Sequence, residues 1–243
     1  MQELQVDVYG GATCHVAGRT MWHVAPCIDY RRCRVINIYH TVLGMVGTNC
    51  YIIVNEECKS CVVVDPADNA KAIYGVVEQA ECKLDAILLT HGHFDHMLAA
   101  KELKEVSGAT ICAAQEEKAV LESSKNNLSA VMGGCATTLN ADVYLCDGQE
   151  FEAAGVRFKV LHTPGHTQGS VCYYIEACDT LISGDTLFAE SVGRTDFPTG
   201  SMSQLVNSIK TKIFTLPDDT KVYPGHGEET TVGYEKQNNP YCQ

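Results

Sequence analysis

No apolar run in this 243-residue sequence is long enough to cross a bilayer. The first 34 residues also lack the continuous apolar core that an export signal needs. Basic residues are scarce, because 18 Lys and Arg stand against 30 Asp and Glu and give a net charge of -12. This balance argues against a surface for nucleic acid or for anionic membranes. We therefore expect a cytoplasmic protein with no membrane and no nucleic-acid partner.

A regular cysteine spacing is absent as well, although the chain has 13 cysteines. The count is odd, and Cys50, Cys61, Cys112 and Cys172 lie in apolar, strand-like runs, where a free thiol behaves as a small hydrophobe. The Cys58 to Cys61 pair has the spacing of redox motifs, but it falls in a predicted hairpin turn and no second pair completes a zinc site. We expect reduced cysteines rather than a disulfide framework.

Residues 1–34 differ from the remainder of the chain. They contain four of the six arginines and the only tryptophan, but no lysine. Gly10 to Arg34 shows neither helical nor strand periodicity. No linker rich in Pro, Gly or Ser interrupts the rest of the sequence. We predict a weakly ordered N-terminal extension over residues 1–34, followed by one domain over residues 35–243.

From residue 35 onward, short apolar runs rich in β-branched residues alternate with segments of helical periodicity. The strands fall in two successive halves, which predicts a layered α/β domain with two mostly separate sheets and helices outside them. Residues 124–139 show no clear pattern and are a candidate lid or active-site rim. Strands are predicted over 34–39, 49–54, 61–66, 84–89, 110–114, 141–145, 156–161, 171–175, 180–183 and 221–224, and helices over 69–79, 98–106, 115–123 and 204–213.

A dense polar cluster follows one of these strands. Directly after the apolar run Leu84 to Leu89, residues 90–96 read Thr-His-Gly-His-Phe-Asp-His, with three imidazoles and a carboxylate close together. Nitrogen and oxygen ligands of this density, without thiolates, suit zinc, iron or manganese. An isolated His-x-His pair is often just a solvated turn, but four ligating side chains together favour a metal site.

Three more ligating side chains follow predicted strands in the same way. His166, Asp185 and His226 each come after an apolar run and beside glycine, which lets the backbone turn tightly. Strand ends are rigid enough to hold ligands within the tolerance that coordination requires. Seven candidates exceed the ligands that one zinc takes, about four, and suffice for two metals if one carboxylate bridges.

The order His91-x-His93-x-Asp95-His96, His166, Asp185 and His226 resembles the metallo-β-lactamase superfamily, over roughly residues 35–240. Segments 184–188 (Gly-Asp-Thr-Leu-Phe) and 193–197 (Gly-Arg-Thr-Asp-Phe) narrow the resemblance to type II glyoxalases, the hydroxyacylglutathione hydrolases. The ending at residues 225–231 is similar to their short bacterial members, which lack the C-terminal helical segment that binds glutathione in longer ones. The resemblance implies a four-layer αββα sandwich with metals at one edge of the sheets.

The resemblance also implies a ligand set. The expected cofactors are two divalent metal ions, with zinc as the first choice and iron or manganese as alternatives. Asp65 matches a strand-end aspartate of the family and is expected to orient a metal-bound histidine. His162 is expected to be a strand-end residue or a support for the metal ligands, but not a ligand itself. The first metal is assigned to His91, His93 and His166, the second to Asp95, His96 and His226, and the bridge to Asp185.

The implied reaction is hydrolysis of a small-molecule thioester, such as S-lactoylglutathione or a related 2-hydroxyacyl thioester, by a metal-bridging hydroxide. Asp95 and Asp185 are the expected catalytic residues, with Asp95 managing the released proton. Arg194 matches a basic residue that contacts a substrate carboxylate in the relatives, and the alternative is a surface arginine paired with Asp196. Phe197 and Tyr173 are expected to be packing residues.

Two alternatives remain at this point. Iron persulfide dioxygenases carry the same His-x-His-x-Asp-His motif and a Gly-Arg-Thr-Asp-Phe segment, but they use one iron and are oxidoreductases. The other alternative is a non-catalytic protein that kept the fold, and the intact ligand set argues against it. The pattern does not indicate an oligomeric state.

Overall fold

The computed structural model of the chain describes residues 36–242 and, before them, the backbone of two strands, Thr13–Val16 (β1) and Thr20–Ala25 (β2). Both strands fall in the predicted extension, where the sequence showed no strand periodicity. The strand β2 pairs antiparallel with Ile36–Leu43 (β3), which adds both to the sheet that follows. The rest of residues 1–34 lies outside the described residues, and the extension stays a prediction.

The first sheet has eight strands in the order β1 to β8. Neighbours from β1 to β5 run antiparallel, and those from β5 to β8 run parallel. The parallel pairs need crossovers, which the helices supply. The strands after β3 are Thr48–Asn55 (β4), Ser60–Val64 (β5), Lys83–Leu88 (β6), Thr110–Ala114 (β7) and Val143–Leu145 (β8).

The second sheet has six strands in the order β16-β15-β12-β11-β10-β9, and the hairpin of β13 and β14 stands apart from it. Within the sheet, β12 and β15 run parallel and the other pairs are antiparallel. These strands are Glu150–Ala153 (β9), Val156–His162 (β10), Val171–Ile175 (β11), Thr180–Gly184 (β12), Leu187–Phe188 (β13), Ser191–Val192 (β14), Lys221–Pro224 (β15) and Thr230–Thr231 (β16).

The helices lie outside the two sheets. Ala70–Gln79 (α1) and Ala100–Ser107 (α3) pack on the first sheet, since Ile73 and Leu103 share a core cluster with Ile52 of β4. The second sheet is covered by Met202–Ser208 (α5), which continues as a π-helix over Ile209–Ile213, and by Val232–Asn238 (α6). Two short helices, Phe94–Met97 (α2) and Lys118–Leu121 (α4), complete the set within the described residues.

The main core lies between the sheets. Side chains alternate along a strand, so in β4 Tyr51 and Ile53 face the second sheet while Ile52 faces the helices. Phe158 of β10 and Tyr173 of β11 enter the same inter-sheet cluster from the other side. This arrangement of helix, sheet, sheet and helix confirms the predicted four-layer αββα sandwich.

Two predicted helices differ from the structure. The segment 115–123 breaks into a 3₁₀ turn over Gln115–Glu117 and the single turn α4. The segment 204–213 starts earlier, at Met202, because Ser201 caps the helix by accepting a hydrogen bond from the Gln204 amide. Among the later strands, β9, β13, β14 and β16 are missing from the prediction. The last three have two residues each, and in β9 exposed residues alternate with half-buried ones.

Candidate metal centre

All seven predicted ligands meet at one edge of the sandwich. His91 and His93 follow β6 of the first sheet, and Asp95 and His96 lie in the short helix α2. The other three come from the second sheet, where His166, Asp185 and His226 follow β10, β12 and β15. The site therefore forms only where the ends of strands from both sheets come together.

Three imidazoles form the first group, which consists of His91, His93 and His166. Nε2 of His166 lies 3.2 Å from Nε2 of His91 and 2.9 Å from Nδ1 of His93. Nδ1 of His166 lies 2.7 Å from the Arg194 carbonyl oxygen. Because the carbonyl can only accept, this nitrogen carries the proton and Nε2 keeps its lone pair for the group. Burial lowers the pKa of all three imidazoles, which keeps them neutral and able to act as ligands.

The second group consists of Asp95, His96 and His226. Oδ2 of Asp95 lies 3.3 Å from Nε2 of His226 and 3.5 Å from Nε2 of His96. Burial alone raises the pKa of Asp95, but the imidazoles of His96 and His226 outweigh burial and hold the pKa below its ordinary value. The carboxylate therefore stays ionised.

Asp185 lies between the two groups. Its Oδ1 is 3.4 Å from Nε2 of His96, and its Oδ2 is 3.5 Å from Nε2 of His166 and 3.6 Å from Nε2 of His226. Two glycines pack so closely against Asp185 that a side chain at either position would collide with it. A Cβ at Gly225 would lie 2.2 Å from Oδ1 of Asp185, and one at Gly193 would lie 1.8 Å from its carbonyl oxygen.

The carboxylates of the site favour a bound cation. Burial lowers the pKa of His96, but the carboxylates of Asp95, Asp185 and Asp65 outweigh it and raise the pKa to about 10. Two atoms that face the cluster, Nε2 of His96 and Oδ1 of Asp185, are buried without a hydrogen-bond partner. Such atoms destabilise a fold by about 1–3 kcal/mol each. Metal ions would satisfy them, so the residues present fit a metal centre.

Asp65 holds one of the histidines from behind. Its Oδ2 accepts hydrogen bonds from the Thr90 hydroxyl, at 2.7 Å, and from Nδ1 of His96, at 2.9 Å, while its Oδ1 accepts from the Thr90 amide. The residue is buried and has a φ of 52°, a strained value for a non-glycine residue. A carboxylate in this position fixes the tautomer and the direction of the imidazole.

Other sequence predictions have clear outcomes. His162 stays outside the cluster, with Nε2 2.9 Å from the Gln168 carbonyl oxygen. Tyr173 is a buried packing residue, as predicted, and its hydroxyl donates to the Leu89 carbonyl. Phe197, predicted to pack rather than to contact substrate, meets His93 edge-on at 5.6 Å, and its ring also lines the cavity over the metal cluster.

Sequence reasoning missed two side chains that contact the site. Thr48 donates a hydrogen bond from its hydroxyl to Oδ2 of Asp95 at 3.0 Å, and Glu117 contacts both histidine loops. Glu117 stands beside Glu116 in a charged segment that is typical of an exposed helix. Nothing in the local sequence distinguishes a glutamate that becomes buried from one that stays exposed.

A cavity of about 240 Å³ opens over the cluster. The candidate rim at 124–139 contributes Leu128 and Met132 to its wall, as predicted. Arg194 also lines it, with the guanidinium 4.1 Å above the Phe197 ring and hydrogen-bonded to the carboxylate of Asp196. The remaining apolar wall consists of Val46, Phe94, Phe188 and Phe197.

Comparison with known families decides the class of the protein. A model of the metallo-β-lactamase superfamily matches residues 43–226, which include all seven clustered residues. The chain belongs to the metallo-β-lactamase superfamily. The matched region thus contains the histidine–aspartate cluster that is suited to bind metal.

Relatives in the superfamily cover most of the chain. It is 36% identical over 199 residues to the hydroxyacylglutathione hydrolase GloC of Haemophilus influenzae, over 79% of this chain and 92% of that protein. It is 34% identical over 213 residues to a probable metallo-hydrolase of Streptococcus pyogenes serotype M6, over 85% of this chain and 90% of that protein.

Three solved structures resemble the fold. The BLEG-1 B3 metallo-β-lactamase has a TM-score of 0.80 at 36% identity, over 84% of this chain and 98% of its own. TTHA1623 in a di-iron-bound form has a TM-score of 0.72 at 32% identity, over 82% and 98%. ETHE1 from Myxococcus xanthus has a TM-score of 0.69 at 31% identity, over 83% of each chain.

One further property concerns membranes. Among the residues that the structure describes, no helix combines the length and the apolar character needed to span a bilayer.

Proposed function

We propose that this protein is a dinuclear metal-dependent hydrolase that cleaves thioesters. The position of Asp185 carries the proposal, because its carboxylate lies 3.4 Å from a histidine of one group and 3.5 Å from a histidine of the other. A carboxylate shared in this way is what a bridge between two metal positions requires. The di-iron form of TTHA1623 supports two metal ions in this fold. We propose zinc for this chain, since a histidine-rich set with carboxylates suits it.

We assign the seven residues to the two metals according to the spatial groups described above. His91, His93 and His166 would hold the first ion, and the second group would hold the other, with Asp185 serving both. When bound, two such ions lower the pKa of water to near neutrality and polarise a carbonyl oxygen.

The protein's own residues supply orientation and proton handling. Asp95 is the proposed proton acceptor, because its carboxylate lines the cavity and the Thr48 hydroxyl fixes its Oδ2. The apolar wall of the cavity excludes water from the acyl group, with Phe188 and Phe197 beside the histidines. Arg194 at the cavity wall would bind a substrate carboxylate. A thiolate leaving group departs without strong acid assistance.

The likeness to GloC supports a 2-hydroxyacyl thioester, with S-lactoylglutathione as the representative substrate. The test is a panel of S-lactoylglutathione, neutral acyl thioesters and lactones, with metal content measured on the same preparation. We expect two metal ions per chain and the highest kcat/KM on a thioester. A preparation with two metals that cleaves lactones but no thioester would overturn the substrate assignment.

A second candidate is the iron persulfide dioxygenase. His91, His96 and Asp185 form a third possible metal group, and two histidines with one carboxylate are the ligands of non-haem iron oxygenases. The likeness to ETHE1 also supports this alternative. One iron per chain, with oxygen uptake on a persulfide substrate, would establish it in place of the hydrolase.

A further inference from the structure

Glu117 is a buried carboxylate at the end of the 3₁₀ turn that follows β7. Its side chain is 1% exposed. Oε1 accepts a hydrogen bond from the Gly92 amide at 2.7 Å, and Oε2 accepts from the Gly169 amide at 2.8 Å and from the Thr167 hydroxyl at 2.9 Å. Both oxygens are thus used, and all three partners are donors.

These donors belong to the two loops that carry the first metal group. Gly92 stands between His91 and His93 after a strand of the first sheet, and Thr167 directly follows His166 in the second sheet. None of the three hydrogen bonds reaches α2 or the His226 loop, which carry the second group. Glu117 therefore links the two loops of the first metal group across the seam between the sheets.

The surrounding packing leaves this connection little freedom. A Cβ at Gly169 would lie 2.2 Å from the Glu117 amide nitrogen, so the second loop presses directly on the backbone of the turn. A Cβ at Gly92 would lie 3.2 Å from Oε1 of Glu117. The Thr167 hydroxyl also lies 2.6 Å from the Ser170 hydroxyl, which limits its own rotation. A shift of the carboxylate would move both loops.

A structural role alone explains this residue poorly. Burying a carboxylate opposes folding, and an apolar residue of similar size fills a core position at lower cost. A carboxylate has what an apolar side chain lacks, namely two acceptors at a set separation. Here those acceptors set how far the His91 and His93 loop stands from the His166 loop.

We propose that Glu117 is a positioning residue that sets the spacing of the three histidines of the first metal group and so controls its affinity for metal. It does this without contacting the ion. The proposal rests on the metal-binding role proposed above. Glu117→Gln keeps the size of the side chain but places an amide NH₂ against an N–H or O–H donor, so at least one of the three hydrogen bonds is lost.

The test measures zinc affinity at each group separately. The double change Asp95→Ala with His226→Ala leaves the first group, and His93→Ala with His166→Ala leaves His96, Asp95 and His226. Zinc dissociation constants are measured in both backgrounds by competition with a chromophoric chelator, with and without Glu117→Gln. We expect affinity to fall about 10- to 100-fold in the first background and to stay unchanged in the second. The exposed neighbour Glu116→Gln is the matched control and should change neither.

The outcomes separate the two proposals. If the unaltered chain binds no zinc, the proposed function fails. If it binds two ions and Glu117→Gln weakens both groups equally, or neither, the positioning role fails while the proposed function stands. Where Glu117→Gln does not fold by circular dichroism, Thr167→Val removes one of the three donors, and a smaller loss confined to the first group is expected. Unchanged affinity in that variant would overturn the positioning role.

Discussion

The guanidinium of Arg194 donates two hydrogen bonds to the carboxylate of Asp196, at 3.0 and 2.7 Å, at the wall of the cavity over the metal cluster. Both side chains are exposed, so the pair contributes little to stability and can open for another anion. The two interpretations of Arg194, a surface ion pair and a substrate contact, are therefore compatible. Asp196 would compete with a substrate carboxylate for the same guanidinium.

Arg194→Ala should raise KM for a thioester that carries a carboxylate by about tenfold, and much less for a neutral thioester. The reason is that only the acidic substrate loses a charged hydrogen bond. Asp196→Ala, which frees the guanidinium, should lower KM for the acidic substrate. Steady-state kinetics on both substrates check this, and an equal rise in KM for both would contradict the recognition role.

Asp185→Asn should reduce bound metal below two ions per chain and lower kcat/KM by about 100-fold or more. An amide lacks the charge and the second anionic oxygen that a shared ligand needs. Metal analysis after gel filtration, together with thioester kinetics, measures both effects. Asp219→Asn, an exposed change, should leave both intact. Full activity with two ions in Asp185→Asn would rule out the bridge.

Metal removal should destabilise the fold, because the buried atoms of His96 and Asp185 then lack partners. Adding zinc to the chelated protein at about 100 times its dissociation constant should raise the free energy of unfolding by about 2.7 kcal/mol per site. Urea unfolding with and without zinc is the measurement. Magnesium, which prefers oxygen ligands, should have a much smaller effect. Equal stabilisation by both ions would argue against histidine ligation.

Glu117 should give the metal-free protein a distinct pH dependence. Burial raises the pKa of this carboxyl to about 7, from an ordinary value of 4.5, although three hydrogen bonds oppose the rise. A raised pKa means that the folded chain binds the proton more tightly than the unfolded chain. The stabilising contribution is therefore complete below about pH 4.5 and is lost as pH rises to about 7, by up to roughly 3 kcal/mol.

Comparison of variants isolates this effect. Glu117→Gln cannot titrate at this position. The free energy of unfolding is measured in chelator from pH 4.5 to 8 for both proteins. As pH rises, the value for Glu117→Gln should increase relative to that of the unaltered protein. Glu116→Gln should follow the unaltered protein throughout. A constant difference between Glu117→Gln and the unaltered chain across this range would contradict the raised pKa.

The seven clustered residues were predictable because each follows an apolar strand, and strand ends of a two-sheet sandwich share an edge. Local sequence is enough for that inference. The short helix α2 was not predicted, since four residues of the metal motif are too few for any periodicity to appear.

The buried position of Glu117 could not be predicted from the sequence, for a different reason. Its partners lie 25, 50 and 52 residues away along the chain, in loops that meet only after both sheets have formed. The same turn explains the broken helix at 115–123, where the side chain of Glu117 is directed into the seam. Burial of a charged group depends on tertiary contacts that no window of the sequence contains.

Tyr51 of the first sheet donates its hydroxyl to the Pro224 carbonyl of the second, at 2.6 Å, and Tyr173 of the second sheet donates to the Leu89 carbonyl of the first, at 2.8 Å. Each carbonyl lies just before a ligand-bearing loop. Either half folding by itself would leave these polar groups unpaired and would hold at most four of the seven ligands. During refolding, high affinity for zinc should therefore appear at the same rate as the two halves of the chain dock.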